Sequence, residues 1–186
     1  MNQSSRSSFW LKLVLLLAVI NTAYLSWRYL ALEANLVTRG SGICSITEFV
    51  DCDEVLITPE ARAYFVPNAL LGFGFFFGCF LWLIIGLRFA EQYHYHLIRT
   101  LVFWLFIATL FTFRFIWLLI HLPNLCVLCP WNHLLTYLAL VFAFLLWRKT
   151  PHQHQKIDAN PLILLVTLCV GQFFLWLALW FIFFRP

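Results

Sequence analysis

Six cysteines carry the chemistry open to this chain, and four of them fall into two close pairs: Cys44 with Cys52, and Cys126 with Cys129 in a Cys-Val-Leu-Cys run. The second spacing lets two sulfurs meet across one helical turn, and both redox dithiols and zinc sites use it. At a helix start the free backbone N–H groups and the positive dipole end stabilise a thiolate. The thiolate is the form that attacks a disulfide. A zinc site wants four ligands closed around one ion, and Cys44 and Cys52 are the other two on offer. A third reading is a pair of inert disulfide staples. All three stand on spacing alone. The relay is the leading expectation and no metal is expected, because a structural zinc in an apolar membrane setting has no evident purpose. Cys79 and Cys169 stand alone in apolar runs and read as small buried hydrophobes. The short pairs His94/His96 and His152/His154 offer two ligands each, too few for a metal site.

The elements that must position these cysteines are membrane helices. Of the 186 residues, 63% are hydrophobic, 19% aromatic and only 11% charged, against about 25% charged in a soluble domain. Five apolar runs reach the roughly 20 residues that a bilayer crossing needs: approximately Trp10–Leu30, Pro67–Phe89, Leu101–His121, Cys126–Trp147 and Pro161–Phe184. The first is too long for the apolar region of a signal peptide, and no small-x-small cleavage site follows it. The expected fold is therefore all-α and integral to the membrane: a four-helix bundle core with a fifth transmembrane helix. Residues 1–147 form the core, the loop 32–66 carries the first cysteine pair, and 148–186 hold a connection and the fifth helix. Within the loop, a short surface helix is expected near Ala61–Phe65.

The net charge of +4 is segregated. Six of eight acids lie in the first long loop, while Arg6, Lys12, Arg88, Arg99, Arg148, Lys149 and Lys156 flank the other face. That pattern is a topology signal, not a nucleic-acid surface, and no nucleic-acid partner is expected. Arg28, Arg39, Arg62 and Arg185 are left for the opposite side, so the N-terminus is expected in the cytosol. Both cysteine pairs then face the periplasm or the lumen of the endoplasmic reticulum, where disulfides persist.

Down the fourth span at 100° per residue, Cys126, Cys129, His133 and Tyr137 fall within roughly 80° of arc, with His133 about 10 Å below Cys126. Polar groups in a span are costly and often functional, though His133 also reads as a partner for another helix. Arg114 lies at a similar depth in the third span and reads equally as a charge stabiliser or a snorkelling cation. Asn68 opens the second span, where Asn is often only a cap.

Several of these residues together resemble one family. They are Cys44 and Cys52 in the first loop, the run Cys52-Asp53-Glu54-Val55 with Thr58 after it, the run from Val66 to Gly72 entering the second span, and Cys126 and Cys129 at the fourth. On them the chain resembles the vitamin K epoxide reductase family over about residues 8–147. The four-helix disulfide-bond formation protein B of bacteria has similar chemistry but carries its pairs in the reverse order.

The resemblance implies that Cys126 and Cys129 are the active-site pair, with Cys129 nearest a quinone, and that Cys44 and Cys52 are a shuttle pair. It implies a quinone site with Asn68 on one ring oxygen and His133 in the place of a Tyr that bonds the other. Thr58 stands where members often have Ser, and Arg114 and Tyr137 are further candidates for the site. The implied substrate is a quinone of ubiquinone or menaquinone (vitamin K) type. The implied partner is a separate thioredoxin-like protein, because many bacterial members carry such a domain fused after the fifth helix. The implied setting is a bacterial inner membrane. The expected function is oxidation of partner dithiols coupled to quinone reduction. Vitamin K epoxide reduction of the vertebrate type and a non-enzymatic, disulfide-stapled membrane protein are the alternatives.

Overall fold

The computed structural model describes residues 3–47, 49–63, 66–89 and 94–150. The expected fifth helix lies outside the described residues. Four long helices account for most of what is described: α1 (Gln3–Glu33), α3 (Asn68–Phe89), α4 (His94–His121) and α5 (Leu128–Lys149), with a short helix α2 (Cys52–Ile57) between the first two. The four long helices are each long and apolar enough to cross a bilayer. The described residues are nearly all helical, and the chain is a multi-pass membrane protein. Helices satisfy their own backbone hydrogen bonds, which is what lets such apolar runs enter lipid. Pro130 is accommodated in the first turn of α5, where its missing N–H would have had no intrahelical partner.

Packing in lipid relies on close contact and not on water expulsion. Ala18 of α1 and Ala139 and Ala143 of α5 are fully buried and let those helices approach closely. Leu11, Leu15, Leu101, Leu105 and Leu135 fill the centre. Buried threonines in the spans are satisfied locally: Thr22 Oγ1 donates to Ala18 O at 2.7 Å, Thr109 to Leu105 O at 2.8 Å and Thr136 to Asn132 O at 2.9 Å. Large apolar side chains such as Ile20, Trp27, Phe113, Trp117 and Ile120 cover the outside, as a lipid-facing surface requires. α1 packs along both α3 and α5, and α4 along α5, whereas α3 and α4 meet only sparsely. A gap therefore stays open between α3 and α4.

The loop after α1 folds back over one end of the bundle. The expected surface helix at Ala61–Phe65 is replaced by a 3-10 turn at Pro59–Ala61 and strand β1 (Arg62–Ala63), which pairs antiparallel with β2 (Val66–Pro67). The helical segment of the loop comes earlier, at α2. Its signal is local: Asp51 caps it, accepting from Asp53 N at 2.9 Å, and Asp53 and Glu54 occupy its first turn, where negative charge meets the positive dipole end. The loop is also stitched to the segment before α5, since Leu125 N donates to Phe49 O at 2.8 Å.

Candidate active site

All four paired cysteines gather at the loop-covered end of the bundle. Cys44 and Cys52 form a disulfide with their Cα atoms 5.7 Å apart. Cys44, Cys52, Val55 and Cys126 pack into one buried cluster, with Leu119, Leu122, Leu128 and Cys129 against it. The outer disulfide is 5% exposed at Cys44 and 1% at Cys52, so solvent barely reaches it.

Cys126 and Cys129 are a dithiol, sulfur to sulfur 2.7 Å. α5 starts at Leu128, not at Cys126 as the apolar run suggests, so Cys126 lies just outside the first turn and Cys129 within it. That offset aims the start of the helix at the Cys126 sulfur. The Cys129 thiol donates to it, burial opposes, and the backbone N–H groups of Cys129 and Leu128 add to the donation. The net effect holds the Cys126 thiol below its ordinary value of 9.0. Asn21 of α1 fixes the same turn, its Nδ2 donating to Leu128 O at 3.1 Å.

A buried ion pair anchors the loop over this end. Arg28 of α1 donates through Nε to Asp53 Oδ1 at 2.8 Å and through Nη2 to Oδ2 at 2.7 Å. Nη2 also reaches Thr38 O at 3.0 Å and Ser41 Oγ at 2.6 Å, and Gly40 N donates to Asp53 Oδ2 at 3.0 Å. Gly40 adopts a left-handed φ of 74°, and a Cβ on Gly42 would meet Asp53 Oδ1 at 3.0 Å, so this wrap needs glycine at both places. Asp53 directly follows Cys52, so whatever holds its carboxylate holds the cysteine. The guanidinium keeps that carboxyl below its ordinary value of 3.8 against the opposing effect of burial.

Beneath the cysteines a cavity of about 420 Å³ opens between the helices. Its wall includes Cys129, Asn132, His133 and Thr136 of α5, Asn68, Gly72 and Phe75 of α3, and a stripe of α4 running from Trp104 to Leu119, with Leu122 just past the helix end. The lining is overwhelmingly apolar with a few polar groups. A ligand site for a hydrophobic ring has that composition. From Trp104 to Leu119 the α4 stripe rises 15 residues, or roughly 22 Å at 1.5 Å per residue. Asn68 Oδ1 is buried with no hydrogen-bond partner among the described residues, while its Nδ2 donates to Glu60 O at 3.4 Å. The His133 ring lies parallel to Phe115, the centroids 6.2 Å apart.

The expected site residues thus divide. Cys129, Asn68 and His133 share the cavity, and Cys126, Cys44 and Cys52 lie above it. Thr58 does not line it: its hydroxyl donates to Val55 O at 2.9 Å and accepts from Ala61 N at 3.3 Å, bridging α2 to the 3-10 turn. Tyr137 does not line it either; its hydroxyl is hydrogen-bonded at 2.8 Å to Thr112 of α4, which does. Arg114 is exposed on α4, about 100° around the helix from Phe115, which does line the cavity. Spacing alone missed Asn21, Arg28, Asp53 and Asn132. A lone polar residue in an apolar run was the signal available for Asn21 and Asn132.

Two stacked cysteine pairs at one end of a membrane helix bundle, above an apolar cavity, define a membrane redox enzyme working through disulfide chemistry. The family model described as "Vitamin K epoxide reductase family" matches residues 9–146, and the chain belongs to that family. No curated protein and no solved structure matches it. Among the described residues no cluster of three or more His, Cys, Asp or Glu could hold a metal ion.

Proposed function

We propose that this protein oxidises the dithiol of a thioredoxin-like partner and reduces a quinone in the bilayer. The observation that carries the reading is the position of Cys129, which is paired with Cys126 and forms part of the wall of the apolar cavity. Residues 1–147 are the catalytic core in this reading, and 148–186 add a fifth crossing. The cysteine end faces the periplasm or lumen.

A thiolate of the reduced partner attacks the Cys44–Cys52 disulfide, and the partner's second thiol resolves the mixed disulfide, leaving Cys44 and Cys52 reduced. The Cys52 thiolate attacks Cys126 in its disulfide with Cys129, forming Cys52–Cys126 and releasing Cys129. Cys44 then closes on Cys52 and frees Cys126. The Cys126–Cys129 dithiol gives two electrons and two protons to the ring as its disulfide re-forms, so a quinone becomes a hydroquinone.

Asn68 fits as a ligand for one ring oxygen: its buried Oδ1 has no protein partner and can accept from a hydroquinone hydroxyl, while the N–H of Nδ2 not given to Glu60 O can donate to a quinone oxygen. His133 is the expected ligand for the other. The sparse α3–α4 contact leaves a lateral exit for an isoprenoid tail. Ile43, Ile46 and Phe49 are 72–75% exposed beside Cys44 and give a partner an apolar surface next to the sulfur it attacks. The buried disulfide requires the loop to lift when a partner docks.

The test is turnover by purified protein in nanodiscs, with a dithiol donor and ubiquinone or menaquinone analogues. Quinone consumption lost in Cys129→Ala supports the reading, and no consumption by the wild type with any quinone withdraws it.

A further inference from the structure

Asn132 is the second buried amide whose oxygen has no hydrogen-bond partner among the described residues and which lines the same cavity. Its side-chain carbonyl oxygen is shut off from solvent, whereas the neighbouring Thr136 hydroxyl is satisfied, donating to the Asn132 backbone oxygen at 2.9 Å. Asn132 comes three residues after Cys129 and His133 four, so the two flank the sulfur on the next turn of α5, about 60° to one side and 40° to the other. The His133 ring is laid parallel to Phe115. Across the cavity, the corresponding unpaired group is Asn68 Oδ1 on α3.

We infer that Asn132 is a ligand of the substrate ring in this chain, sharing with His133 the oxygen opposite the one held by Asn68. The inference rests on the proposed quinone site and names a group in it that the family resemblance does not supply. An amide suits both redox states of the ring. Its N–H donates to a quinone carbonyl, and after rotation by half a turn its oxygen accepts from a hydroquinone hydroxyl. The ring oxygen therefore keeps a partner as two electrons and two protons arrive from Cys126 and Cys129.

The experiment compares wild type, Asn132→Leu and Asn132→Ser in nanodiscs, with a menaquinone analogue and a dithiol donor. Two steps are read separately: quinone reduction, and exchange between the loop pair and the CxxC pair followed by thiol-labelling gel shift. The expected result is a fall in kcat/KM for the quinone of about tenfold or more in both variants, weaker product inhibition by the hydroquinone, and exchange within twofold of wild type. Quinone reduction within twofold of wild type in either variant overturns the assignment. So does loss of exchange in both variants, which would make Asn132 a packing residue. A wild type that performs exchange but reduces no quinone defeats the proposed function itself, an outcome visible without any variant.

Discussion

Arg28 and Asp53 face each other through two parallel hydrogen bonds, 2.8 and 2.7 Å long, with Arg28 only 4% exposed and Asp53 not at all. The pair joins α1 to the residue after Cys52 and so clamps the loop disulfide onto the CxxC pair. Removing one partner from a buried ion pair costs about 3–5 kcal/mol. Asp53→Asn is therefore expected to release the loop and speed reduction of the Cys44–Cys52 disulfide by a water-soluble reductant about a hundredfold or more, at 1.4 kcal/mol per decade. The pH dependence has a definite sign. Because the folded pKa of Asp53 lies below its ordinary 3.8, the clamp is at full strength above that value and is lost as pH falls through the lower folded value. Wild-type loop accessibility should be flat from neutral pH to mildly acid pH and rise only below the ordinary carboxylate range. An equal accessibility of wild type and Asp53→Asn at neutral pH contradicts the clamp.

Cys129 is the leaving group when Cys52 attacks Cys126, and in the reverse exchange, where Cys126 attacks the Cys44–Cys52 disulfide at Cys52, it is the thiol that resolves the bridge. Cys129→Ala should accumulate a Cys52–Cys126 disulfide, since nothing is left to displace Cys52 except Cys44. Peptide mapping under non-reducing conditions reads it directly. A variant that shows no such bridge and still turns over quinone would falsify the order of transfer.

The Cys126 thiol is held below 9.0 first of all by the Cys129 thiol and then by the backbone N–H groups of the first turn of α5. The thiolate absorbance of Cys126 should therefore titrate below that value in the reduced protein. In Cys129→Ser the fall should be retained in part, because a hydroxyl still donates, and in Cys129→Ala it should shrink. A thiolate signal that appears only above 9.0 in all three removes helix-start activation from the mechanism.

At the ring end, Asn68→Leu and His133→Leu should each slow quinone reduction by about 10²–10³, the usual consequence of losing one donor aimed at developing charge. Exchange between the cysteine pairs should stay near normal. Cys79→Ala touches neither pair nor cavity and should leave both steps within a fewfold of wild type. Arg114→Gln, whose side chain is on the outer face of α4, should do little as well. Loss of turnover in Arg114→Gln with full turnover in His133→Leu would reverse those two assignments.

Four of the five expected membrane spans and the cysteine pairs were legible in the sequence because apolar length and cysteine spacing are local properties; the fifth span lies outside the described residues. So was the angular stripe of α5: Cys129 and His133 do share the cavity. Tyr137 shows where that arithmetic ends. It lies 80° around the helix from Cys129 and turns to Thr112 of α4, a partner that only the packing of two helices supplies. Arg114 fails as a cavity residue for the same reason, because depth in a span does not tell which face a residue takes. The Arg28–Asp53 clamp spans 25 residues of sequence and was hidden in the charge pattern, where Arg28 counted as a topology signal and Asp53 as one acid among six. The helix α2 could have been read from Asp51 and the acids after it, but six residues are too few for periodicity to show.

The central claim is that electrons held by the cysteines leave through the quinone cavity, and single turnover without oxygen measures this. Protein with both pairs reduced is mixed with excess quinone in nanodiscs, and hydroquinone and free thiols are counted together. The account predicts one hydroquinone for each cysteine pair oxidised, with the yield halved in Cys44→Ala, which leaves only the Cys126–Cys129 pair, and abolished in Cys129→Ala. Hydroquinone formed in Cys129→Ala at the wild-type yield, or cysteine pairs that stay reduced in the presence of every quinone tried, would contradict it.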